Sequence, residues 1–441
     1  MVDGVPGHWV GGRFHLDGNS VSGWLSDFNS PLLKELAEEA VSRNYNLAAT
    51  RSRIAQAAER AGIAGADRLP TVDSSVNTSR SQNLRGAAFQ TVRANNFNFN
   101  LDVSWQPDLW GRVKDLRDSQ LDLLTAETNA YHWARLSLVA NVVKTSLEIV
   151  ESREQVALSR ENLVSLEKTL DILDNKLEAG DADDRTALDI SLSRADIARA
   201  KSNILVEQRQ ADASGRTLEA FLGRYPKGKV EELKRLPGIT RKIPVGLPSE
   251  LLLRRPDLIE AEYRVDSRLK ELSASRKALL PTIRITGGSG TSTTDEFGDL
   301  FDIQNMVWNI GQNLARPLYQ GGRLKADVRL SQAELDEIAS AYGDTALTAF
   351  REVETALAAE WYFVQQVAAL EEASREAGLA SDLSQSQYER GLIEIITFLE
   401  SQRREFDARS SLIGVKLMLL QNRVDLYLAL GGDFDHPVVS K

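Results

Sequence analysis

Two long stretches of this sequence, residues 108–225 and 318–436, contain no proline, although the chain has 12 prolines among 441 residues. Proline inside a helix costs about 3 kcal/mol, and both stretches are rich in the helix formers Ala, Leu, Glu, Arg and Gln. Their apolar residues follow the spacing of a coiled-coil seam, for example Leu163, Leu166, Leu170, Leu173 and Leu177. Each stretch is therefore predicted to fold as long helices.

A glycine interrupts each stretch near its middle, at Gly180 and at Gly391. Glycine commonly ends a helix because it adopts the left-handed conformation at little cost. The predicted helices are 111–179 and 185–222 in the first stretch, and 321–390 and 395–430 in the second. A helix over 111–179 would be roughly 100 Å long at about 1.5 Å per residue, so it needs partners along its length.

The chain is predicted to be an internal duplication, because an offset of 211 positions aligns several landmarks at once. The aligned landmarks are Leu69-Pro70 with Leu280-Pro281, Gly111-Arg112 with Gly322-Arg323, Gly180 with Gly391, and Leu188-Asp189 with Leu399-Glu400. The first repeat is predicted to cover 1–222 and the second 251–432. A linker, 223–250, joins them, and residues 433–441 form a tail.

A strand pair is predicted ahead of each long helical hairpin. Residues 96–105 alternate without exception, with an apolar side chain at every odd position, and this period of two is typical of a strand. The predicted strands are about 70–80 and 96–105 in the first repeat, and about 281–288 and 305–314 in the second. The polar stretches between the members of each pair, 81–95 and 291–305, are predicted to be exposed loops.

These strands have two interpretations. A half-buried sheet on a soluble core is the commoner arrangement, but four strands are too few to cover such long helices. Each strand is also long enough to cross a membrane when tilted. A lone sheet would expose its edges in lipid, so several chains would have to pool strands, and three copies would give a closed barrel of twelve. The predicted lipid-facing or interfacial residues are Phe97, Phe99, Leu101, Val103, Trp105, Ile283, Ile285, Trp308 and Ile310.

Composition and motifs argue against several other classes of protein. The net charge of −10 is unlike a nucleic-acid-binding surface, and no run of eighteen apolar residues predicts a membrane-spanning helix. Without cysteine there are no disulfides, thiolate ligands or lipidated cysteine, and four scattered histidines lack metal-ligand spacing. The segment Gly287–Gly290 matches neither a phosphate-binding loop nor a nucleophile elbow. We therefore expect no enzyme, no cofactor and no metal site.

The N-terminus also lacks the pattern of an intact signal peptide.

Several segments resemble the outer membrane factor family, the TolC-like exit ducts of Gram-negative bacteria, and most of all its NodT/OprM-type branch. The residues that carry the resemblance are Leu69-Pro70, Trp105–Arg112, Leu253–Leu258, Leu279–Pro281, Arg316–Arg323 and Leu428–Gly432. The likeness covers nearly the whole chain.

The resemblance implies a mixed α and β membrane protein that forms a homotrimer. Its twelve-stranded barrel would lie in the outer membrane and continue into an α-helical barrel in the periplasm, with a belt built from segments near 1–35, 223–250 and the C-terminus. The duct would conduct drugs or other small toxic compounds passively, from an inner-membrane pump through a periplasmic adaptor. Branch members often carry a lipidated N-terminal cysteine, which this sequence lacks. A duct for secreted proteins and a soluble coiled-coil scaffold are the alternatives.

The resemblance also implies a pore constriction just after the second turn glycine, where a bulky apolar residue precedes an acid by four positions. The matching residues are Ile396 and Glu400, although the family often has Asp at the second position. A spacing of four places both on one helix face. Their alternative interpretation is an isoleucine of the helix seam and a solvated glutamate.

The hairpin turns form the second candidate site. The first turn carries Gly180, Asp181, Asp183, Asp184, Arg185 and Asp189, and the second carries Arg390 and Gly391. The acids are consistent with helix capping and solubility, or with a cation-attracting mouth or an adaptor contact. The two arginines are candidates for a latch to neighbouring hairpins. The first turn lacks the pattern of a calcium-binding loop.

Overall fold

The computed structural model describes residues 9–10, 24–85, 90–178, 186–231, 233–238, 254–294 and 296–432. The chain divides into two compact units. Unit 1 comprises Met1–Arg51, Asn129–Ile259 and Gly343–Lys441, and unit 2 comprises Ser52–Thr128 and Glu260–Tyr342. Each unit therefore combines segments from both halves of the sequence.

Seven α-helices and four β-strands make up the regular structure of the described residues, together with three short 3₁₀ helices. The helices are α1 (Pro31–Arg43), α2 (Tyr45–Ala66), α3 (Arg112–Glu178), α4 (Thr186–Phe221), α5 (Pro256–Lys277), α6 (Arg323–Glu389) and α7 (Ile395–Ala429). The strands are β1 (Thr71–Arg85), β2 (Gln90–Trp105), β3 (Thr282–Thr293) and β4 (Met306–Ala315). The 3₁₀ helices are Trp24–Phe28, Phe297–Phe301 and Ile303–Asn305.

Corresponding elements in the two halves of the chain begin 211 positions apart. This offset separates α2 from α5, β1 from β3, and α3 from α6, and the last two helices both have 67 residues. The compact units cross this division, because each takes residues from both halves. The assignment of 1–222 and 251–432 as structural repeats stays a prediction.

The long helices begin and end within two residues of the predicted bounds, and β4 has its predicted length, but β1, β2 and β3 are longer than predicted. The prediction of a loop over 81–95 is wrong for most of its length, because β1 continues to Arg85 and β2 begins at Gln90. Polar residues extend this hairpin, for example Gln82 opposite Arg93, whose Nε donates to Gln82 Oε1 at 3.0 Å. Backbone pairing in an antiparallel hairpin does not require apolar side chains, so the alternation pattern ends before the strands do.

The four strands form one antiparallel sheet in the order β1-β2-β3-β4. Within the described part of the chain, neither the outer edge of β1 nor that of β4 has a partner strand. The sheet belongs to unit 2, together with α2, α5 and segments of α3 and α6. The α3 segment of this unit meets α5 through polar contacts, including Ser119 Oγ to Ser267 Oγ at 2.8 Å and Lys277 Nζ to Asp115 Oδ2 at 2.5 Å.

Unit 1 holds the hydrophobic clusters of the described residues. In the largest cluster the rings of Trp24 and Tyr427 stack with centroids 5.5 Å apart, and the Tyr427 hydroxyl donates to Asp27. A second cluster packs α1 against α3 and α4 through Leu36, Val142 and Leu218.

Among the described residues, no helix combines the length and the apolar character that crossing a membrane requires.

Candidate functional site

The register of the sheet places all nine predicted lipid-facing residues on one face. Directly opposed residues of antiparallel strands share a face, and alternate residues of one strand do too. Trp105 of β2 lies opposite Ile285 of β3, so the odd positions of both strands share a face. Ser289 of β3 lies opposite Trp308 of β4, which brings the even positions of β4 onto the same face. We call this surface, which includes Phe97, Phe99, Leu101, Val103, Trp105, Ile283, Ile285, Trp308 and Ile310, the apolar sheet face.

The opposite face of the sheet is mainly polar, with Val307 as an apolar exception. It carries the even positions of β2 and the odd positions of β4, including Asn98, Asn100, Asp102, Asn309 and Asn313. Four strands thus separate an apolar surface from a hydrophilic one, which is the amphipathic arrangement of a barrel wall between lipid and water.

Two tryptophans lie at the end of the sheet that is connected to the helices: Trp105 is the last residue of β2, and Trp110 follows it. Trp105 Nε1 donates to the carbonyl of Arg68 at 3.0 Å, and Trp110 Nε1 donates to the carbonyl of Pro281 at 2.6 Å. Both indoles remain partly exposed with their polar atoms satisfied. Such side chains suit an interface that is apolar on one side and wet on the other.

The turn between α6 and α7 is built on Gly391, whose φ is +71°. The backbone N–H of Gly391 donates to Tyr388 O, and that of Leu392 donates to Gln387 O, both at 2.9 Å. This pattern ends α6 and requires a left-handed residue, which explains the glycine predicted to break the helix.

A buried aromatic cluster lies beneath this turn. The rings of Tyr388 and Phe398 stack with centroids 5.7 Å apart at 16°. Ile395 packs beside them, and Lys176 Nζ of α3 lies 4.5 Å from the Tyr388 ring centroid. Because Ile395 and Phe398 face this cluster, Ile396 points away from it, with 55% of its surface exposed.

Glu400 lies one turn after Ile396 and is held by two arginines. Arg403 donates from Nε at 3.0 Å and from Nη2 at 2.7 Å to Glu400 Oε2, while Arg404 Nε donates to Oε1 at 2.9 Å. The hydrogen bond from Arg403, followed by that from Arg404, lowers the pKa of the Glu400 carboxyl below its usual value. This candidate constriction therefore carries an ion-paired carboxylate in the isolated chain.

The structure describes only some of the hairpin-turn residues. Gly180, Asp181, Asp183, Asp184 and Arg185 lie outside the described residues. Asp189 is half-buried in the first turn of α4. Arg390 is exposed and makes no ion pair within 4.0 Å with any residue the structure describes. Over the same residues, no group of three or more His, Cys, Asp or Glu side chains is placed to hold a metal ion.

The two arginines beside Glu400 were not predicted from the sequence. Arg403 and Arg404 lie three and four residues after the glutamate, which is the spacing at which side chains on one helix meet, so the signal was present in the sequence. The stack of Tyr388 on Phe398 had no such local signal, since it joins two helices across the turn.

Comparisons with known proteins agree with this architecture. A family model described as outer membrane efflux protein matches residues 36–224 and 247–432. The pyoverdine export outer membrane protein OpmQ of Pseudomonas putida is 32% identical over 426 residues, which cover 93% of this chain and 87% of that protein. Outer membrane protein OprJ of Pseudomonas aeruginosa is 31% identical over 440 residues, covering 98% and 91%. The crystal structure of the open state of the Neisseria gonorrhoeae MtrE outer membrane channel superimposes with a TM-score of 0.87 at 26% identity, covering 97% of this chain and 96% of that one.

Proposed function

The chain belongs to the outer membrane efflux protein family, and on that premise we propose that three copies assemble into one duct closed by a twelve-stranded barrel. Family membership confirms the predicted location in the outer membrane and the predicted role in efflux as an export channel. The predicted fold, that of an outer-membrane channel subunit, is confirmed as well.

Two features of the sheet together support the assembly. One face is apolar, and in the described part of the chain the outer edges of β1 and β4 have no partner strand. In lipid, each unpaired backbone N–H or C=O costs several kcal/mol, so four strands with free edges are not a stable membrane structure. Pairing β4 of one copy with β1 of the next satisfies both edges at once. The apolar sheet face then contacts lipid, and the polar face lines the lumen.

The duct works passively with two partners. An inner-membrane pump supplies the energy, and a periplasmic adaptor joins the pump to the helical hairpins. This role fits the exposed hairpin-turn residues Arg390 and Gly391 and the half-buried Asp189. The expectation that the chain is not an enzyme goes with this passive role and stays a prediction. The proposed cargo is a drug or another small toxic compound, and the pump determines which compounds are carried, because a polar lumen of this kind selects weakly.

Ile396 and Glu400 form the constriction of the duct. The support is geometric, since the exposed Ile396 and the half-exposed Glu400 lie on one face of α7, one turn apart, while their neighbours Ile395 and Phe398 are buried. Three copies of an exposed isoleucine around one axis would make an apolar ring that resists wetting.

The assembly is tested by measuring the mass of the purified protein in detergent and its conductance in planar bilayers. We expect a trimer and discrete ion-conducting steps. As a matched control, Ile310→Lys on the apolar sheet face should impair insertion, whereas Asn309→Lys on the polar face should not, because a lysine facing lipid costs about 2–4 kcal/mol at the bilayer midplane. A monomer without conductance, or equal insertion by both variants, would contradict the proposal.

The cargo is tested in a strain that lacks its own outer-membrane efflux channels but retains a matching pump and adaptor. Expression of the chain should restore resistance to small toxic organic compounds. Restored export of a siderophore or a secreted protein, with no change in resistance, would replace the proposed cargo while leaving the duct intact.

A further inference from the structure

The connection between β3 and β4 contains an apolar segment that the function described so far does not use. Residues 297–303, here called the rim segment, include two aromatic and two aliphatic side chains: Phe297, Leu300, Phe301 and Ile303. The segment lies at the end of the sheet opposite Trp105, and it includes the 3₁₀ helix Phe297–Phe301. The prediction of an exposed polar loop over 291–305 is therefore wrong for this segment, because its polar composition hides the apolar side chains that lie close together in the fold.

Two contacts place the rim segment on the apolar sheet face. The ring of Phe297 packs edge-on against Phe97, with centroids 5.8 Å apart at 82°. Thr291 Oγ1 donates to the carbonyl of Leu300 at 2.6 Å. Phe97 and Thr291 both belong to the apolar sheet face, because Phe99 lies opposite Thr291 in the register. The rim segment thus folds over the side of the sheet assigned to lipid, away from the polar side.

Only some of the apolar side chains of the rim segment are buried against the sheet. Leu300 is 5% exposed and provides the buried contact. Phe301 and Ile303, in contrast, are 84% and 79% exposed, and Phe297 is half-exposed. The Phe297 and Phe301 rings form a second edge-on pair, with centroids 6.4 Å apart. Large apolar side chains are favoured in an apolar environment, so water is a poor solvent for this surface.

The height of the apolar sheet face explains what the extra surface contributes. From Phe97 to Trp105 the strand rises about 27 Å at about 3.4 Å per residue. A tilt of about 40° reduces this to roughly 21 Å, whereas the apolar band of a barrel is about 25 Å tall. The rim segment adds apolar side chains at the Phe97 end of this face, where the apolar band is short.

We propose that the rim segment is a membrane contact, with Phe297, Phe301 and Ile303 embedded among the acyl chains of the outer leaflet next to the lipid headgroups. This inference rests on the proposed assembly, in which the apolar sheet face contacts lipid. The depth follows from Asp302, which is exposed between Phe301 and Ile303 and whose Oδ1 accepts from Gln304 N at 3.0 Å. A carboxylate at this position fits the headgroup boundary and would be costly at the bilayer centre.

The experiment uses the fact that the chain has no cysteine, so that each single-cysteine variant carries one label. Phe301→Cys and Ile303→Cys are labelled with a nitroxide in proteoliposomes, and the access of dissolved oxygen and of a water-soluble nickel chelate is compared. Trp308→Cys on the apolar sheet face is the lipid reference. Gln304→Cys, next to Ile303 and also exposed, is the aqueous control.

We expect the labels at 301 and 303 to favour oxygen over the nickel chelate, as the label at 308 does, and the label at 304 to favour the chelate. Labels at 301 and 303 that match the one at 304 would overturn the proposal. Protection of both from the two reagents would overturn it too, by indicating contact with a neighbouring copy. If the label at 308 itself favours the chelate, the proposed assembly fails, which is a different result from failure of the rim segment alone.

Discussion

Arg255 Nη1 donates a hydrogen bond to Oε2 of Glu352 at 2.6 Å, which joins the start of α5 to α6 from a position where the Arg255 side chain is only 2% exposed. The same guanidinium donates to Asp257 Oδ2 at 2.7 Å, and its Cζ lies 4.8 Å from the Trp133 ring centroid. This arginine belongs to the motif Leu253–Leu258, which carried part of the family resemblance. Its role in this chain is to hold the packing of unit 1 together.

Replacing Arg255 by Met should destabilise the protein by about 3 kcal/mol, because it leaves the mostly buried Asp257 carboxylate without its cation, while the half-exposed Glu352 is rehydrated. The measurement is thermal unfolding of the detergent-solubilised protein. Arg375→Met is the matched control, since Arg375 pairs with Glu372 and Glu376 at the surface and should cost less than about 1 kcal/mol. Equal shifts in the two variants would contradict a structural role for the buried arginine.

Glu151 gives a pH-dependent prediction. Burial raises the pKa of its carboxyl, against the opposing effect of the hydrogen bond from Gln155. A raised folded pKa means that the folded state holds its proton longer than the unfolded state, so stability falls as the pH rises through the interval between the two values. Glu151→Gln keeps an acceptor for Gln155 Nε2 and should raise the melting temperature at neutral pH.

The gain from Glu151→Gln should vanish below the ordinary carboxyl pKa, where the wild-type group is protonated in both states. The control is Glu372→Gln, because Glu372 is exposed at the surface. A gain for Glu151→Gln that is the same at every pH would indicate that desolvation of its carboxylate is not the cause.

Ile396→Ser and Glu400→Ala should each raise the single-channel conductance measured without an adaptor, because each removes part of the proposed constriction. Phe398→Leu is a useful comparison, since Phe398 is buried and faces away from the exposed stripe of α7. It should change stability more than conductance. Unchanged conductance in both constriction variants would reject the proposed residues while leaving the duct itself intact.

The arginine pair beside Glu400 predicts the ion preference of the duct. Arg403 and Arg404 both bind Glu400, and Asp407 lies 3.9 Å from Arg403, so the two positive and two negative charges cancel and the constriction should discriminate weakly between cations and anions. The double variant Arg403→Gln/Arg404→Gln exposes an unpaired carboxylate and should shift the reversal potential towards cation selectivity. Arg409→Gln, two turns further along and paired with Glu161 at 2.8 Å, should leave it nearly unchanged.

The same double variant should move the titration of conductance. The lowered pKa of Glu400 keeps this group ionised to a lower pH than an ordinary glutamate. Without the arginines, the midpoint should rise towards the ordinary carboxyl value. If the midpoint stays the same, Glu400 does not control the conductance.

Two glycines with left-handed backbone conformations allow the energetic cost of the backbone conformation to be distinguished from that of a steric clash. Gly223 has φ +68° and Gly228 has φ +74°. A Cβ at Gly223 would lie 2.6 Å from the backbone oxygen of Arg43, whereas one at Gly228 would lie 3.5 Å from that of Asp212. Alanine should cost about 1–2 kcal/mol at either site for the backbone alone, and clearly more at Gly223. Equal losses in thermal stability would show that the backbone near Arg43 yields to the new methyl group.

Features that repeat locally along the chain can be predicted from the sequence alone. The absence of proline and the seam of leucines set the long helices, and strict alternation from Phe97 to Trp105 set a strand with one apolar face. These patterns are readable because helix and strand geometries have fixed periods, so each residue's side is known once the period is known. The hairpin beyond Ser81 was missed because its backbone pairing carries no apolar signal.

Which faces and charges meet depends on how the elements pack. The register of the sheet brings nine separately predicted residues onto one surface. Packing between elements places Phe297 on Phe97, buries Arg255 beside Glu352, and turns Ile396 outward while Ile395 faces inward. Contacts between residues far apart in the chain depend on how whole elements pack, and no local period encodes them. The chemistry of the constriction and of the membrane rim therefore depends on packing that the sequence patterns alone do not specify.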